Sequence, residues 1–358
     1  MADSLKTLVI DDATGAREDV LGFLHARKPG RPPLAAEKWV WRYVDGPAGK
    51  GIITVMVDTA DGDRIVGHNA LALNHVVSGG EVFTVGISGG LRVEEAYRSR
   101  GVFVRMRKAE EEKVKARGLP LLATHPNDMA TPGYRLTGYR FHQRFEFALK
   151  AIVCVRPDGL WRPVRLAQQA GLYLLNRAAR SGAAQSGPPG RPPEDLRIER
   201  LEAFGAETDG LWARVGRRDY LGIVKDAEYL TWRYGKRPGM TYAAHMGYVK
   251  DEPRALCIIE WQTDAPRAGW VAELLARPED EDAALAVLAY AERHAARSGV
   301  WHLRALADGV SVTGSVLNRM GYLRQSVRPF LVRMLDEARG TPLTGPWCYS
   351  MGDFQVGA

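Results

Sequence analysis

Residues 89–105 read GGLRVEEAYRSRGVFVR, and this stretch decides the fold. Leu91-Arg92-Val93 ends an apolar, β-branched run that begins near Val82, so it reads as a strand. A helix is predicted from about Val102 to Arg117, with Gly118 as its C-cap and Pro120 as a stop just beyond. The turn between strand and helix carries Arg98, Ser99, Arg100 and Gly101. Glycine lets backbone approach a ligand without a Cβ in the way. A helix N-terminus supplies unpaired N–H groups and the positive end of a dipole. Two arginines add forked donors suited to phosphate. The combination describes a pyrophosphate site, although a solvated turn with two incidental arginines has the same sequence.

Working outward, the helix charges Arg105, Arg107, Lys108, Glu110, Glu111, Glu112, Lys113 and Lys115 read as a solvated face with i,i+4 pairs. A short strand, Leu121 to Thr124, and a Pro126-Asn127 loop follow. Further on, the stretch 181–193, SGAAQSGPPGRPP, is a linker by composition and divides the chain of 358 residues nearly in half. The halves share the pattern Ala-Glu-x-x-x-Trp-Arg-Tyr at 36–43 and 227–234, strand-like runs after it, and Gly138-Tyr139 or Gly321-Tyr322 late in each half. An internal duplication accounts for this.

The duplicate differs at the turn. Where the first half has Arg98 to Gly101, the second has Pro278-Glu279-Asp280-Glu281-Asp282, without glycine. Four successive carboxylates suit a helix dipole but repel a pyrophosphate. The charge is split in the same sense. Residues 1–180 carry 27 Lys+Arg and 19 Asp+Glu, against 22 and 23 in residues 181–358. The basic excess of the first half favours an anionic ligand. The three cysteines, Cys154, Cys257 and Cys348, are far apart and fit neither a disulfide framework nor a zinc site, so no metal is expected. No apolar run approaches a membrane span, and the N-terminus has no signal pattern, which points to a cytoplasmic protein. A basic amphipathic helix at 160–180 reads mainly as a docking helix, with peripheral membrane contact as a minor alternative.

The turn, its strand and its helix resemble the acetyl-CoA signature of the GNAT superfamily of N-acetyltransferases, Arg/Gln-x-x-Gly-x-Gly/Ala. With the duplication, the chain resembles tandem GNAT-like proteins of bacterial polysaccharide and amino-sugar pathways. The implied fold class is α+β, with two tandem GNAT-like domains, each a mixed, mostly antiparallel central sheet flanked by helices. Expected boundaries are 1–155 for the acyl-CoA domain, 156–193 for the helix and linker, and 194–358 for a degenerate second domain. The resemblance implies that Leu91, Arg92 and Val93 meet the pantetheine arm of acetyl-CoA. Arg98, Ser99, Arg100, Gly101, Val102 and Phe103 would hold the pyrophosphate, and Asn127 a second cofactor contact. Phe103 departs from the family's Gly or Ala.

Transfer of an acyl group to an amine needs a polarised carbonyl, a base and an acid for the leaving thiolate. Tyr134 stands at the position of the family's general acid. The strand before the turn has no carboxylate at the family's usual place for a base. His125, beside the Pro126-Asn127 loop, and His68 are the candidates that remain, alongside a water chain. The implied function is acyl-CoA-dependent N-acyl transfer to a small-molecule primary amine, such as an amino sugar or sugar nucleotide. No nucleic-acid partner is expected, and a homodimer is left open. A FemAB-like aminoacyl transfer and a non-catalytic ligand-binding protein are the alternatives.

Overall fold

The computed structural model describes residues 4–10, 18–25, 36–152, 171–176, 178 and 192–354. The linker at 181–191, most of the helix read at 160–180, and Cys154 lie outside them. The chain forms two compact units. Unit 1 comprises residues 1–143, 329–346 and the last two residues, and unit 2 comprises 144–328 and 347–356. The boundaries therefore differ from those read off the linker. The chain leaves unit 1 inside a strand, and unit 1 takes its last strand from residues far downstream.

Unit 1 contains β1 (Leu5–Ile10), α1 (Glu18–His25), α2 (Ala36–Tyr43), β2 (Ile52–Asp58), β3 (Arg64–Ser78), β4 (Glu81–Val93), α3 (Val102–Ala116), β5 (Leu121–Thr124) and α4 (Thr131–Leu136). The strand β6 (Arg140–Ala151) carries the chain out. β1 to β4 pair antiparallel in order, β4 and β5 pair parallel, and β5 pairs antiparallel with residues 331–334. β2 is buried along its whole length, as its unbroken apolar text demands. Trp39 and Tyr43 of α2 pack with Ile53, Val55 and Ala70 on one face of the sheet. Val102 and Met106 of α3 pack against Met56 and Val66 on the other.

Unit 2 repeats this order. It adds α5 (171–176), β7 (Leu196–Leu201), α6 (Ala206–Val215), β8 (Gly222–Ile223), α7 (Ala227–Leu230), β9 (Met240–Val249), β10 (Glu252–Gln262), β11 (Ala265–Ala276), α8 (Glu281–Arg297), β12 (His302–Ala307) and α9 (Thr313–Arg319). A final strand, β13 (Leu323–Met334), carries the chain back out. β7, β9, β10 and β11 pair antiparallel, β11 and β12 pair parallel, and β12 pairs antiparallel with residues 146–151. Small residues of α8 (Ala283, Ala284, Ala291 and Ala295) let it lie close on Cys257, Ile259 and Val271. Each unit is thus a mixed, mostly antiparallel sheet covered by helices.

The helix α3 corrects one expectation. Arg107 and Glu110 are not on a solvated face, because their side chains are 1% and 0% exposed. They fall on the stripe Val102, Met106, Val114 that faces the sheet, at helical spacing. Of the other charges of that run, Lys108, Glu112, Lys113 and Lys115 are exposed, while Arg105 and Glu111 are half-buried.

Candidate functional site

The parallel pair β4 and β5 stays in register only from Gly86↔Leu122 to Ser88↔Thr124. β5 then ends, while β4 runs on to Val93. The two strands split, and a split between parallel strands at their C-terminal ends is where open sheets bind ligands. The β3–β4 register also shifts here, from Ala70↔Gly89 to His68↔Arg92, and Gly90 takes a φ of 67°. His68 pins this bulge, with its Nδ1 2.8 Å from the Gly90 carbonyl.

The turn at the end of β4 has the backbone its sequence suggests. Ser99 and Gly101 both have positive φ, 65° and 72°. Gly101 is the N-cap of α3 and gives it no side-chain cap, so the first-turn N–H groups are left for another acceptor. The turn is anchored from below. The buried Tyr97 donates its hydroxyl to Asp58 at 2.7 Å, and Arg64 pairs with Glu94 at 2.7 Å. Arg98 is half exposed, 3.8 Å from Glu95, and the Arg100 guanidinium lies 5.0 Å from the Tyr97 ring. Both arginines therefore sit at the turn's surface.

Phe103 does not fill the turn. Its ring meets Tyr134 edge-on at 5.2 Å and rests on Gly133, where an added Cβ would come within 3.2 Å of it. Space above Gly101 is open, since an added Cβ there would meet nothing within 4 Å. Leu91 packs in the same core as Phe103 and Tyr134. The Arg92 guanidinium lies 4.2 Å from the Phe23 ring of α1, so from this strand it is backbone, not the Arg92 head group, that borders the split. Asn127 lies in the turn that leads into α4, its Oδ1 accepting from the Ala130 N–H at 2.8 Å.

Tyr134 is 2% exposed and is the end of a buried polar chain. Its hydroxyl is 2.8 Å from Ser88 Oγ, and Ser88 donates to Asn69 Oδ1 at 2.9 Å. The serine proton being so used, the Tyr134 hydroxyl is the donor of the first bond. Asn69 Nδ2 donates to Glu110 at 2.5 Å, and Arg107 bonds both Glu110 and the Tyr139 hydroxyl. Burial pushes the Tyr134 phenol above its usual value, with Arg107 opposing. Burial likewise pushes Glu110 up, with Arg107 and Asn69 pulling back. Ser88, Asn69, Glu110 and Arg107 were missed by sequence reasoning. For Arg107 and Glu110 the signal was present, in their spacing from Met106 and Val114. For Ser88 and Asn69 it was not, since only pairing across β3 and β4 brings them together.

The two histidines are deeply placed. Burial, reinforced by the Arg42 charge, holds His68 down to about 4 against the Gly90 hydrogen bond. His125 stacks on Phe330 at 4.7 Å and is held down to about 3 by burial. Both imidazoles are neutral at pH 7. His68 holds the bulge, and His125 packs on Phe330.

The sheet order, the split and the helix set on it define the class. The chain has the GNAT fold, in a two-unit layout. Residues 21–142 match the acetyltransferase (GNAT) domain family. Among solved structures, a probable N-acyltransferase from Enterococcus faecalis V583 is similar at 13% identity. The alignment covers 93% of this chain and 73% of that one, with a TM-score of 0.61. A tandem GNAT protein from the clavulanic acid biosynthesis pathway has 13% identity, 92% and 98% coverage, and a TM-score of 0.59. Saccharomyces cerevisiae N-myristoyltransferase with bound myristoyl-CoA has 11% identity, 93% and 83% coverage, and a TM-score of 0.56. No curated protein sequence matches the chain. Among the described residues no helix is long and apolar enough to cross a membrane.

Proposed function

We propose that unit 1 is an acyl-CoA-dependent N-acyltransferase that moves an acetyl or short acyl group to a primary amine of a small molecule. One observation carries the reading. The turn after β4 presents two positive-φ residues, an uncapped helix start and two surface arginines beside a strand split. That arrangement suits a pyrophosphate next to an extended arm. The N–H groups of Gly101, Val102 and Phe103 and the side chains of Arg98, Ser99 and Arg100 would hold the phosphates. The free edge of Leu91 to Val93 would take the arm, and Asn127, in the turn before α4, would supply a second cofactor contact. Acyl-CoA supplies the activated thioester.

The rest of the chemistry falls to the protein. The β4 edge orients the thioester carbonyl and polarises it through backbone N–H. As the new C–N bond forms and the C–S bond breaks, Tyr134 gives its proton to the sulfur. Its neutral, raised phenol keeps the proton, donated to Ser88 Oγ, until the thiolate develops, and the hydroxyl then turns from Ser88 to the sulfur. The ammonium proton of the acceptor leaves to solvent. The basic first half favours an acceptor that carries negative charge, such as an amino-sugar nucleotide.

The test is binding first, chemistry second. CoA should raise the melting temperature of the full-length protein. Replacing Arg98 and Arg100 with Ala should weaken CoA binding by about tenfold or more, since each charge-assisted bond contributes about 1.5–3 kcal/mol. An unchanged affinity in the double variant would show that the pyrophosphate does not sit on this turn. Mass spectrometry of acyl transfer across amines and amino-sugar nucleotides then identifies the acceptor.

A further inference from the structure

Unit 2 has its own strand split, and the chain itself enters it. β11 and β12 pair only from Ala268↔His302 to Trp270↔Arg304. Beyond that point the C-terminal segment lies between them. The Gly352 N–H donates to the Ala272 carbonyl at 2.8 Å, and the Tyr349 N–H donates to Asp308 Oδ2 at 2.9 Å. Gly352 has no room for a side chain, because a Cβ would stand 2.0 Å from the Tyr234 hydroxyl and 2.5 Å from Glu273 Oε1. What is left of the split is a cavity of about 110 Å³ bordered by Tyr220, Lys225, Glu273, Arg277, Asp308 and Cys348. That is room for roughly four water molecules at about 30 Å³ each, and so for a small ligand.

The polar groups of the wall decide what such a ligand must be. Lys225, 1% exposed, has all three of its protons engaged, by Glu273 Oε1 at 2.8 Å, Ser350 Oγ at 3.2 Å and Asp353 Oδ1. Arg277 is held by Glu279 at 2.7 Å, by the Arg214 carbonyl at 3.1 Å and by Asp219 at 3.6 Å. Lys225 has no proton left for an anion, and Arg277 is already paired with two carboxylates. The Asp308 carboxylate already accepts from the N–H groups of Val310, Ser311 and Tyr349 and from the Ser311 hydroxyl. Glu273 differs. Its Oε1 accepts from Lys225 and Tyr234, while its Oε2, fully buried, has no partner among the described residues. A buried carboxylate oxygen left bare is costly, and the ordinary remedy is a donor or a cation. The charge balance points the same way. Among the residues that line the cavity, the cations Lys225 and Arg277 stand against the carboxylates Asp219, Glu273 and Asp308. One negative charge is in excess.

We propose that this cavity is a binding site for a small primary ammonium ligand, held by Glu273 Oε2. The ligand's N–H groups complete the carboxylate, its positive charge cancels the excess, and its short carbon body lies against Leu274, Ala276 and Val312. Burial pushes the Glu273 carboxyl above its usual value, with Lys225 opposing, and a bound cation offsets that burial. The site is independent of the turn in unit 1.

The experiment titrates full-length protein with ethylammonium chloride, with ethanol and acetate as neutral and anionic counterparts, followed by calorimetry and NMR. Saturable one-to-one binding of ethylammonium, with none of the other two, is expected. Glu273→Gln keeps the shape and should weaken binding by about thirtyfold or more, as expected when one side of a buried charge pair is neutralised. Ala276→Leu fills the cavity and leaves the Lys225 bonds intact, so it decides the matter if Glu273→Gln does not fold. Absence of saturable binding, preference for ethanol or acetate, or binding unaffected by Ala276→Leu would overturn the proposal. The CoA-induced thermal shift is measured on the same variants. It should be unchanged, which keeps a failure here separate from a failure of the acyl-transfer reading.

Discussion

The two strand splits of this protein are built on one plan and used differently. In unit 1 the split has a glycine turn at its mouth and a tyrosine in its floor. In unit 2 the mouth is a run of carboxylates, and the floor holds Glu273. These carboxylates are not bare: Asp280 pairs with Arg214 at 3.3 Å and with Arg254 at 3.5 Å, Glu279 with Arg277, and Glu281 with Arg319 at 3.2 Å. They act as pairing sites for arginines and as dipole partners for α8, leaving no positive field for a phosphate. Setting Gly138-Tyr139 against Gly321-Tyr322 places Tyr134 opposite Leu317 and His125 opposite Asp308. The Tyr43 hydroxyl lies beside Gly90, and its counterpart Tyr234 bonds Glu273 at 2.8 Å. Unit 1 therefore has the tyrosine and lacks the strand carboxylate, while unit 2 has the carboxylate and lacks the tyrosine. Both copies have the sheet and its split, and they differ in the side chains placed at it.

The comparison is sharpened most strongly by Tyr134→Phe. If the floor of the unit 1 split is catalytic, acyl transfer should fall by about 10²- to 10⁴-fold in kcat with CoA affinity kept. A rate within a factor of about three of wild type would leave Tyr134 as packing alone.

Next in size are the buried charges that hold each floor. Arg107→Met leaves Glu110 uncompensated and should cost about 3–5 kcal/mol of stability, while Arg107→Met with Glu110→Leu should recover most of it. Denaturant unfolding reads both. A single variant as stable as the wild type would remove the Arg107–Glu110 pair from the account of how Tyr134 is held.

Gly352→Ala tests the plug in unit 2. The added methyl collides with Tyr234 and Glu273, and the overpacking should cost about 1–3 kcal/mol. Hydrogen exchange on β11 should rise, and CoA binding should stay as in the wild type.

The smallest effect concerns pH. His68 titrates near 4 in the folded protein and near 6.5 unfolded, so the unfolded chain binds the extra proton between those values. Stability from this group is complete above about pH 6.5 and is lost as pH falls toward 4, by up to about 1.4 kcal/mol per pH unit. His68→Asn retains a donor for the Gly90 carbonyl and does not titrate. The difference in melting temperature between variant and wild type should therefore narrow as pH is lowered from 7 to 5. A constant difference would mean that His68 is not held neutral.

How much of this was legible in the sequence varies by feature. The strand, turn and helix at 89–117 were, because glycine, strand text and helix spacing are local signals. The Gly118 cap was as well, and its φ is 66°. The unit boundary was not, since the linker marks a change of composition, while the split between units follows strand pairing. The Arg107–Glu110 pair was half legible: the spacing showed the face, and the charge hid the burial.

The sequence by itself determined the duplication, the one-sided charge and the turn of unit 1, because each is carried by neighbouring residues whose conformation is set locally. Only the tertiary structure decided that Phe103 turns away from the turn and onto Tyr134. It alone decided that Ser88 and Asn69 complete a chain to a buried ion pair, and that residues 348–353 plug the second split. Those outcomes depend on contacts between residues tens to more than a hundred positions apart, such as Ser88 with Tyr134 and Lys225 with Asp353. Chain connectivity does not specify such contacts, and burial against a common sheet does.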